Sequence, residues 1–290
     1  MEAAFTQKKL AELTFAIIGL GLIGGSYAKA LRRLGVQHIL GMDISRGIAK
    51  ACLNAHMIDE IVEEGSPALG KAEIIICCVY PGALLKFVQT NAAHFQPGTL
   101  FTDATGIKGK LPEQVQALLP EGCEFLAGHP MAGRQGSGLG MAAAEIFDGA
   151  NYIIVPAAHN TPAAITWLEQ FAKALGCKCT VQITAAEHDS IIAYTSDLPH
   201  ILAVSLVNSA SFTEHTKYFI AGSFRDATRV ADINPELWSD LFLANKDNTL
   251  AEIRKYQEQL ERWSKALEED DAAALQAMMK EAGPKRRELY

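Results

Sequence analysis

Short apolar runs without alternation recur along the first two-thirds of the chain, at residues 15–18, 38–43, 73–79, 99–103, 125–129, 151–155 and 177–182. Runs of this kind suit strands buried on both faces, as in a parallel sheet. Between them, apolar positions return at helical spacing over residues 44–55, 84–95, 111–119 and 162–175. Strand–helix alternation on this scale predicts an α/β fold, a mostly parallel sheet with helices on both faces.

The pattern changes at Thr184. Thr184-Ala-Ala-Glu187 is a capping-box sequence, with threonine as N-cap and glutamate three residues on. No convincing strand follows it. A long helix is predicted from Ala185 to about Ser209, bent at Pro199, which removes a backbone donor. Leu250, Ile253, Tyr256, Leu260, Trp263 and Leu267 form a helical stripe suited to packing on core or on a second subunit. The expected organisation is an α/β domain over residues 1–183 and an all-α domain over residues 184–290, with no flexible linker.

The turn after the first strand reads Gly19-Leu-Gly-Leu-Ile-Gly24, at G-x-G-x-x-G spacing, and a helical pattern follows. Between a strand and a helix this is the dinucleotide fingerprint. Gly19 permits the tight turn, Gly21 lets backbone approach a pyrophosphate, and Gly24 lets helix and strand pack closely. The helix beginning at Leu22 and Ile23 offers free N–H groups and a partial positive charge to phosphate. The second strand ends at Asp43, where an acid accepts ribose hydroxyls. A carboxylate there favours NAD, because it repels a 2′-phosphate; Arg46, three residues on, leaves NADP tolerance open. The first domain is therefore predicted to be a Rossmann-type, doubly wound NAD-binding domain.

The net charge of −7 and the lack of a basic run argue against nucleic acid and anionic membrane as partners. The 49% hydrophobic content supports a sizeable core. The N-terminus lacks the apolar segment of a signal peptide, and no apolar run reads as long enough to span a bilayer. A cytoplasmic location is expected. The six cysteines form no metal or disulfide ladder. Cys177 and Cys179 would share one strand face, but buried thiols are expected there, and no metal.

Ligands of open parallel sheets bind beyond the carboxyl ends of the strands. Besides the glycine turn, two such ends carry reactive groups: Asp103-Ala-Thr-Gly-Ile-Lys108, and Gly128-His-Pro-Met-Ala-Gly-Arg-Gln-Gly-Ser-Gly138. His129 ends an apolar strand and is followed by Pro130. An imidazole, with an unperturbed pKa of ~6.5, suits general-base work. In the helical half, Asp197 and His200 are three apart and share a helix face. Arg225 and Arg229 are four apart, and a guanidinium is the natural forked partner of a carboxylate. Trp238 stands in the first turn of a further helix, as core or as a site wall.

Taken together, Gly19-Leu-Gly-Leu-Ile-Gly-Gly-Ser26, Gly128-His-Pro-Met-Ala-Gly133 with Ser137-Gly138, Leu198-Pro-His200, and Gly222-Ser-Phe-Arg-Asp-Ala-Thr-Arg229 with Trp238 resemble the prephenate dehydrogenases over nearly the whole chain. The resemblance implies a Rossmann domain, an all-helical domain that forms a homodimer, and a site between them. It implies NAD-dependent oxidative decarboxylation of prephenate, a small dicarboxylate, to 4-hydroxyphenylpyruvate in tyrosine biosynthesis. It implies His129 as the base for the ring 4-hydroxyl, Arg229 and His200 as substrate-binding groups, and Trp238 as an apolar wall. No further regulatory or mutase domain is expected.

The departures bear on substrate choice. Many relatives place a serine where this chain has Gly106, so Thr105 or a water is expected to supply that hydroxyl. Many carry a glutamate six residues after the histidine, where this chain has Gln135 beside Arg134. Some carry a second histidine where this chain has Asp197. Gln135 and Arg134 lean towards prephenate, and Asp197 towards arogenate, whose side chain bears an ammonium. An arogenate dehydrogenase is therefore the alternative. A 3-hydroxyacid dehydrogenase would want a lysine within residues 185–209, where none occurs. An NAD-binding redox sensor would want a basic DNA-reading helix, and none is evident.

Overall fold

The structure, a computed structural model, describes residues 4–134 and 136–289. The chain runs β1 (Thr14–Ile18), α1 (Leu22–Arg33), β2 (His38–Met42), α2 (Arg46–Asn54), β3 (Glu60–Ile61), β4 (Ile74–Cys77), α3 (Pro81–Asn91), β5 (Leu100–Asp103), α4 (Leu111–Leu118) and β6 (Glu124–Phe125). These six strands form one parallel sheet in the order β3-β2-β1-β4-β5-β6. The order reverses between β1 and β4, which opens a crevice at their carboxyl ends.

Alternation along each strand divides the core in two. Phe15, Ile17, Ile74, Ile76 and Leu100 face one side, and Ala16, Ile18, Ile75, Cys77 and Phe101 the other. All are buried. This is why the strands read as unbroken apolar runs, each large side chain stabilising the fold by about 1.5–3 kcal/mol.

At Leu126 the chain leaves the parallel sheet. β7 (Ala127–Pro130), β8 (Asn151–Val155), α5 (Pro162–Leu175) and β9 (Cys179–Gln182) follow. β8 pairs antiparallel with β7 and parallel with β9 in a second, three-stranded sheet. The single strand expected over residues 125–129 is thus two strands in two sheets. Hydropathy hides the change, because Phe125, Leu126 and Ala127 are all fully buried. α5 makes the crossover from β8 to β9. It is capped by the Thr161 hydroxyl, which accepts from Ala164 N, and it ends at Gly176 in the left-handed conformation (φ 106°).

The remaining elements are helical: α6 (Ala185–Ile192), a π-helical turn (Ala193–Asp197), α7 (Leu198–Val207), α8 (Gly222–Thr228), α9 (Pro235–Ala244), α10 (Lys246–Glu268) and α11 (Ala272–Glu288). The bend expected at Pro199 takes the form of the π turn just before it, an adjustment suited to a proline that cannot donate into the helix. Contacts divide the chain into two compact units, Met1–Ile191 and Ile192–Tyr290. The division falls within α6 because His188 and Asp189 bind loops of the first unit. In the second unit the stripe on α10 is not covered by this chain: Leu260 is 50% and Leu267 62% exposed.

Ala185–Val207 is a helical run of 23 residues with mean hydropathy 1.3, long and apolar enough by length and composition to cross a membrane. This corrects the expectation that no such run exists, which the interspersed Asp189, Asp197 and His200 concealed. Those polar groups are bonded to protein atoms: Asp189 to Lys108 N, Asp197 to Thr249, and His200 to Ser196 O.

Candidate active site

The glycine turn after β1 is tight for three separate reasons. Gly19 has φ +87°, and a Cβ there would strike the Cys78 carbonyl and the Val79 side chain. A Cβ on Gly24 would fall on the Gly19 carbonyl. A Cβ on Gly21 would meet no protein atom within 4 Å. Gly21 instead lines a cavity of about 770 Å³, within the range of small-molecule and cofactor sites. Gly21 is also the N-cap of α1, so the amides of Leu22, Ile23 and Gly24 lie in the first turn, where no intrahelical acceptor exists. Space above Gly21 and none around Gly19 and Gly24 is the shape a pyrophosphate requires.

Asp43 ends β2 on the wall of the same cavity. Its Oδ2 accepts from Leu20 N at 2.8 Å and its Oδ1 from Ser45 N at 2.8 Å. The carboxylate therefore holds the glycine turn from the wall of the cavity. Arg46 also lines the cavity, exposed and 3.5 Å from Glu63.

A second polar cluster lies in the same unit, at the ends of β5 and β7. Lys108 is fully buried and its Nζ donates to Asp103 Oδ2 (2.7 Å), to the Gly128 carbonyl (2.7 Å) and to Thr105 Oγ1 (3.2 Å). Burial pushes the Lys108 ammonium down from its ordinary pKa, and the Asp103 carboxylate opposes the shift. Asp103 Oδ1 accepts from Gly128 N at 3.0 Å. One ion pair therefore holds both backbone groups of the residue preceding His129. Gly128 has to be glycine, because a Cβ would meet the Tyr152 hydroxyl at 2.6 Å.

His129 is half-buried at the end of β7. Its Nδ1 lies 2.9 Å from His188 Nε2, and His188 Nδ1 lies 2.7 Å from Asp189 Oδ1. Asp189 also accepts from the amides of Lys108 (2.9 Å) and Gly109 (2.6 Å). Burial holds His129 well below the ordinary imidazole pKa, and the Lys108 charge pushes the same way. The ring is therefore unprotonated at neutral pH and able to accept a proton.

Thr105 is buried, its hydroxyl donates to Asp103, and its oxygen accepts from Lys108. The same hydroxyl lies 3.2 Å from the Ile107 carbonyl, so protein acceptors surround it on the side away from solvent. Arg134 is exposed on the loop after β7. Gln135 lies outside the described residues.

The second unit holds the other expected residues. His200 stacks on Trp238 with ring centroids 3.7 Å apart, and Trp238 contacts Phe242 at 5.3 Å. His200 Nδ1 donates to the Ser196 carbonyl at 2.8 Å. Burial lowers the His200 pKa; the Ser196 bond and Asp197 oppose this, and the Arg229 guanidinium adds to it. Arg229 caps the C-terminus of α8 and is exposed. Asp197 is buried, and its Oδ2 accepts from Asn245 Nδ2 (2.9 Å) and Thr249 Oγ1 (2.7 Å). It ties the π turn to α10 instead of presenting a free carboxylate.

Sequence reasoning missed Lys108, His188 and Asp189 as site members. One signal was present: a His-Asp pair one turn into a helix that is otherwise mainly apolar.

A parallel sheet with a glycine cradle at its switch point defines a nucleotide-binding oxidoreductase fold. Comparison narrows the class. The family model "Prephenate dehydrogenase, nucleotide-binding domain" matches residues 27–181, and "Prephenate dehydrogenase, dimerization domain" matches residues 184–281. The chain is 32% identical over 268 residues to the prephenate dehydrogenase of Bacillus subtilis, covering 90% of this chain and 72% of that one. It is 29% identical over 273 residues to the cyclohexadienyl dehydrogenase of Zymomonas mobilis, covering 92% of each. A solved prephenate dehydrogenase from A. aeolicus, in complex with hydroxyphenyl propionate and NAD+, superposes with a TM-score of 0.88 at 26% identity, covering 98% of this chain and 100% of that one. The chain belongs to the prephenate dehydrogenase family and is an oxidoreductase.

Proposed function

We propose that this chain catalyses the NAD-dependent oxidative decarboxylation of prephenate to 4-hydroxyphenylpyruvate, a cytoplasmic step of tyrosine biosynthesis. The observation that carries the reading is His129: an imidazole held neutral at a strand end, in the unit that contains the glycine cradle. In this reading residues 1–183 bind the dinucleotide, through Gly19, Gly21, Leu22, Ile23, Gly24 and Asp43, with Arg46 at the rim. When bound, NAD supplies the hydride acceptor. Residues 184–290 supply the substrate-binding groups and the dimer contact.

His129 takes the proton of the ring 4-hydroxyl as hydride leaves that carbon. Loss of the ring carboxylate as carbon dioxide aromatises the ring, and the proton returns to the ring oxygen. Arg229 binds a substrate carboxylate as a forked partner. His200, its tautomer set by Ser196 O, binds beside it, and Trp238 forms an apolar wall. Arg134 lies on the loop that follows His129, and Gln135 is assigned to substrate binding from the sequence alone.

Prephenate is favoured over arogenate by Asp197. Its carboxylate is buried on Asn245 and Thr249, so it is not offered to a substrate ammonium. A homodimer is supported by the exposed Leu260 and Leu267 on α10. The test supplies purified protein with NAD and prephenate, then arogenate, then NADP in place of NAD, and follows reduced nucleotide in the near ultraviolet. Turnover of arogenate alone, or of neither substrate, rejects the proposal.

A further inference from the structure

We propose that His188 and Asp189 are positioning residues that set the tautomer of His129, leaving its Nε2 bare as the nitrogen that meets the substrate proton. The proposal rests on the reading of His129 as the base.

One hydrogen-bonded chain joins three elements: the loop after β5, the start of α6, and the end of β7. Asp189 receives the amides of Lys108 and Gly109. Although burial raises its pKa, the hydrogen bonds from His188 and from those two amides hold Asp189 below the usual carboxylate range. An ionised carboxylate only accepts, so His188 Nδ1, 2.7 Å away, carries the proton between them. With one proton on its ring, His188 has one donor and one acceptor nitrogen. His188 Nε2 is then the acceptor, and His129 Nδ1, 2.9 Å from it, is the donor. His129 Nε2 is left without a proton. Each assignment compels the next, and the choice at His129 is made two residues away, at a carboxylate that need not touch substrate.

The burial of the chain supports a dedicated role. His188 is 1% and Asp189 5% exposed, and buried polar side chains of this kind are retained only when their hydrogen bonds are satisfied. The charged and titratable groups around His129 are Lys108 with its partner Asp103, and His188 with its partner Asp189. Of these, only the Asp189–His188 pair bonds to the His129 ring and so selects between its two nitrogens. With an amide in place of the carboxylate, one of the two positions becomes an N–H2 facing a backbone N–H, of Lys108 or of Gly109; where that group takes the Oδ1 position it donates to His188 Nδ1, and the proton pattern reverses down the chain. His129 then presents N–H to the substrate and is no longer a base.

The test uses full-length Asp189→Asn and His188→Gln with prephenate and NAD, together with 15N-histidine NMR of the NAD-bound protein without substrate. Asp189→Asn is expected to lower kcat by about 10²- to 10⁴-fold, the loss of a positioned base, with the prephenate KM and NAD affinity unchanged. The glutamine carbonyl can accept from His129 Nδ1, so His188→Gln is expected to stay within about tenfold of wild type. The wild-type spectrum is expected to show His129 protonated at Nδ1 and bare at Nε2, and the Asp189→Asn spectrum the reverse. Wild-type His129 protonated at Nε2 overturns the inference even if the variant fails to fold, as does an Asp189→Asn protein whose His129 tautomer is reversed in the spectrum while kcat stays within about threefold of wild type. Normal turnover by His129→Ala would instead remove the base itself, while the spectrum would still report the tautomer, so the two failures are distinct.

Discussion

Replacing Lys108 with methionine tests the buried pair behind His129. Methionine keeps an unbranched side chain of similar length but removes the charge and three hydrogen bonds, to Asp103, Gly128 and Thr105. Both members of the ion pair are fully buried, so solvent screening offers no relief. Removing one partner of such a pair leaves an uncompensated carboxylate and costs about 3–5 kcal/mol. Asp103→Asn in the same background removes that orphaned charge, and its carbonyl can still accept from Gly128 N. The double variant is therefore expected to regain a large part of the loss, since a buried pair replaced whole is often close to neutral. Urea unfolding of both variants, followed by circular dichroism and by nucleotide binding to isolate the first unit, gives the two numbers.

The same substitution has a catalytic signature. Lys108 acts with burial to hold the His129 pKa down. Removing a positive charge favours the protonated ring, so the pKa rises. The acid limb of kcat/KM, which lies well below ~6.5 in the wild type if His129 is the base, must move to higher pH in Lys108→Met. A single variant that costs less than about 1 kcal/mol would refute the reasoning, as would a double variant no more stable than the single. So would an acid limb that stays in place or moves down.

Three further outcomes are expected. His129→Ala should lose about 10²- to 10⁴-fold in kcat with NAD affinity retained by equilibrium titration; near-wild-type turnover removes it from the mechanism. Arg229→Ala should chiefly raise the prephenate KM, and an unchanged constant in steady-state kinetics rejects its role as carboxylate partner. Gly24→Ala places a Cβ on the Gly19 carbonyl, so it should weaken NAD binding and lower Tm together, and normal values for both would mean that the turn relaxes freely.

The fold was legible where its causes are local. The strands β1, β2, β4 and β5 announced themselves because both faces of the sheet are buried, and the glycine turn because its spacing is tied to one backbone path. β3 escaped notice because two residues leave no pattern. The split at Leu126 escaped because buried strands in either sheet carry the same residues. At the site, His129 was legible from its strand end, but its partners were not: His188 lies 59 residues further on, and the Lys108 amide meets Asp189 across 81. The partners of Asp197 were hidden for the same reason: its carboxylate accepts from Asn245 and Thr249, 48 and 52 residues later.

The proposed reaction explains why a base of depressed pKa is adequate. A weak base is a poor acceptor for an ordinary alcohol proton. The 4-hydroxyl is not ordinary once hydride begins to leave its carbon: positive charge gathers there, the oxygen becomes that of a protonated ketone, and its proton becomes strongly acidic. The imidazole then needs only position and a bare nitrogen. The cycle also returns the proton to the ring oxygen as carbon dioxide leaves, so a strongly basic group would hold what it must give back. Lys108 raises the energy of the protonated ring and favours that return, while the chain through His188 to Asp189 decides which nitrogen receives the proton. Two charges buried behind one histidine thus divide the work, one setting how weakly the base holds its proton and the other where.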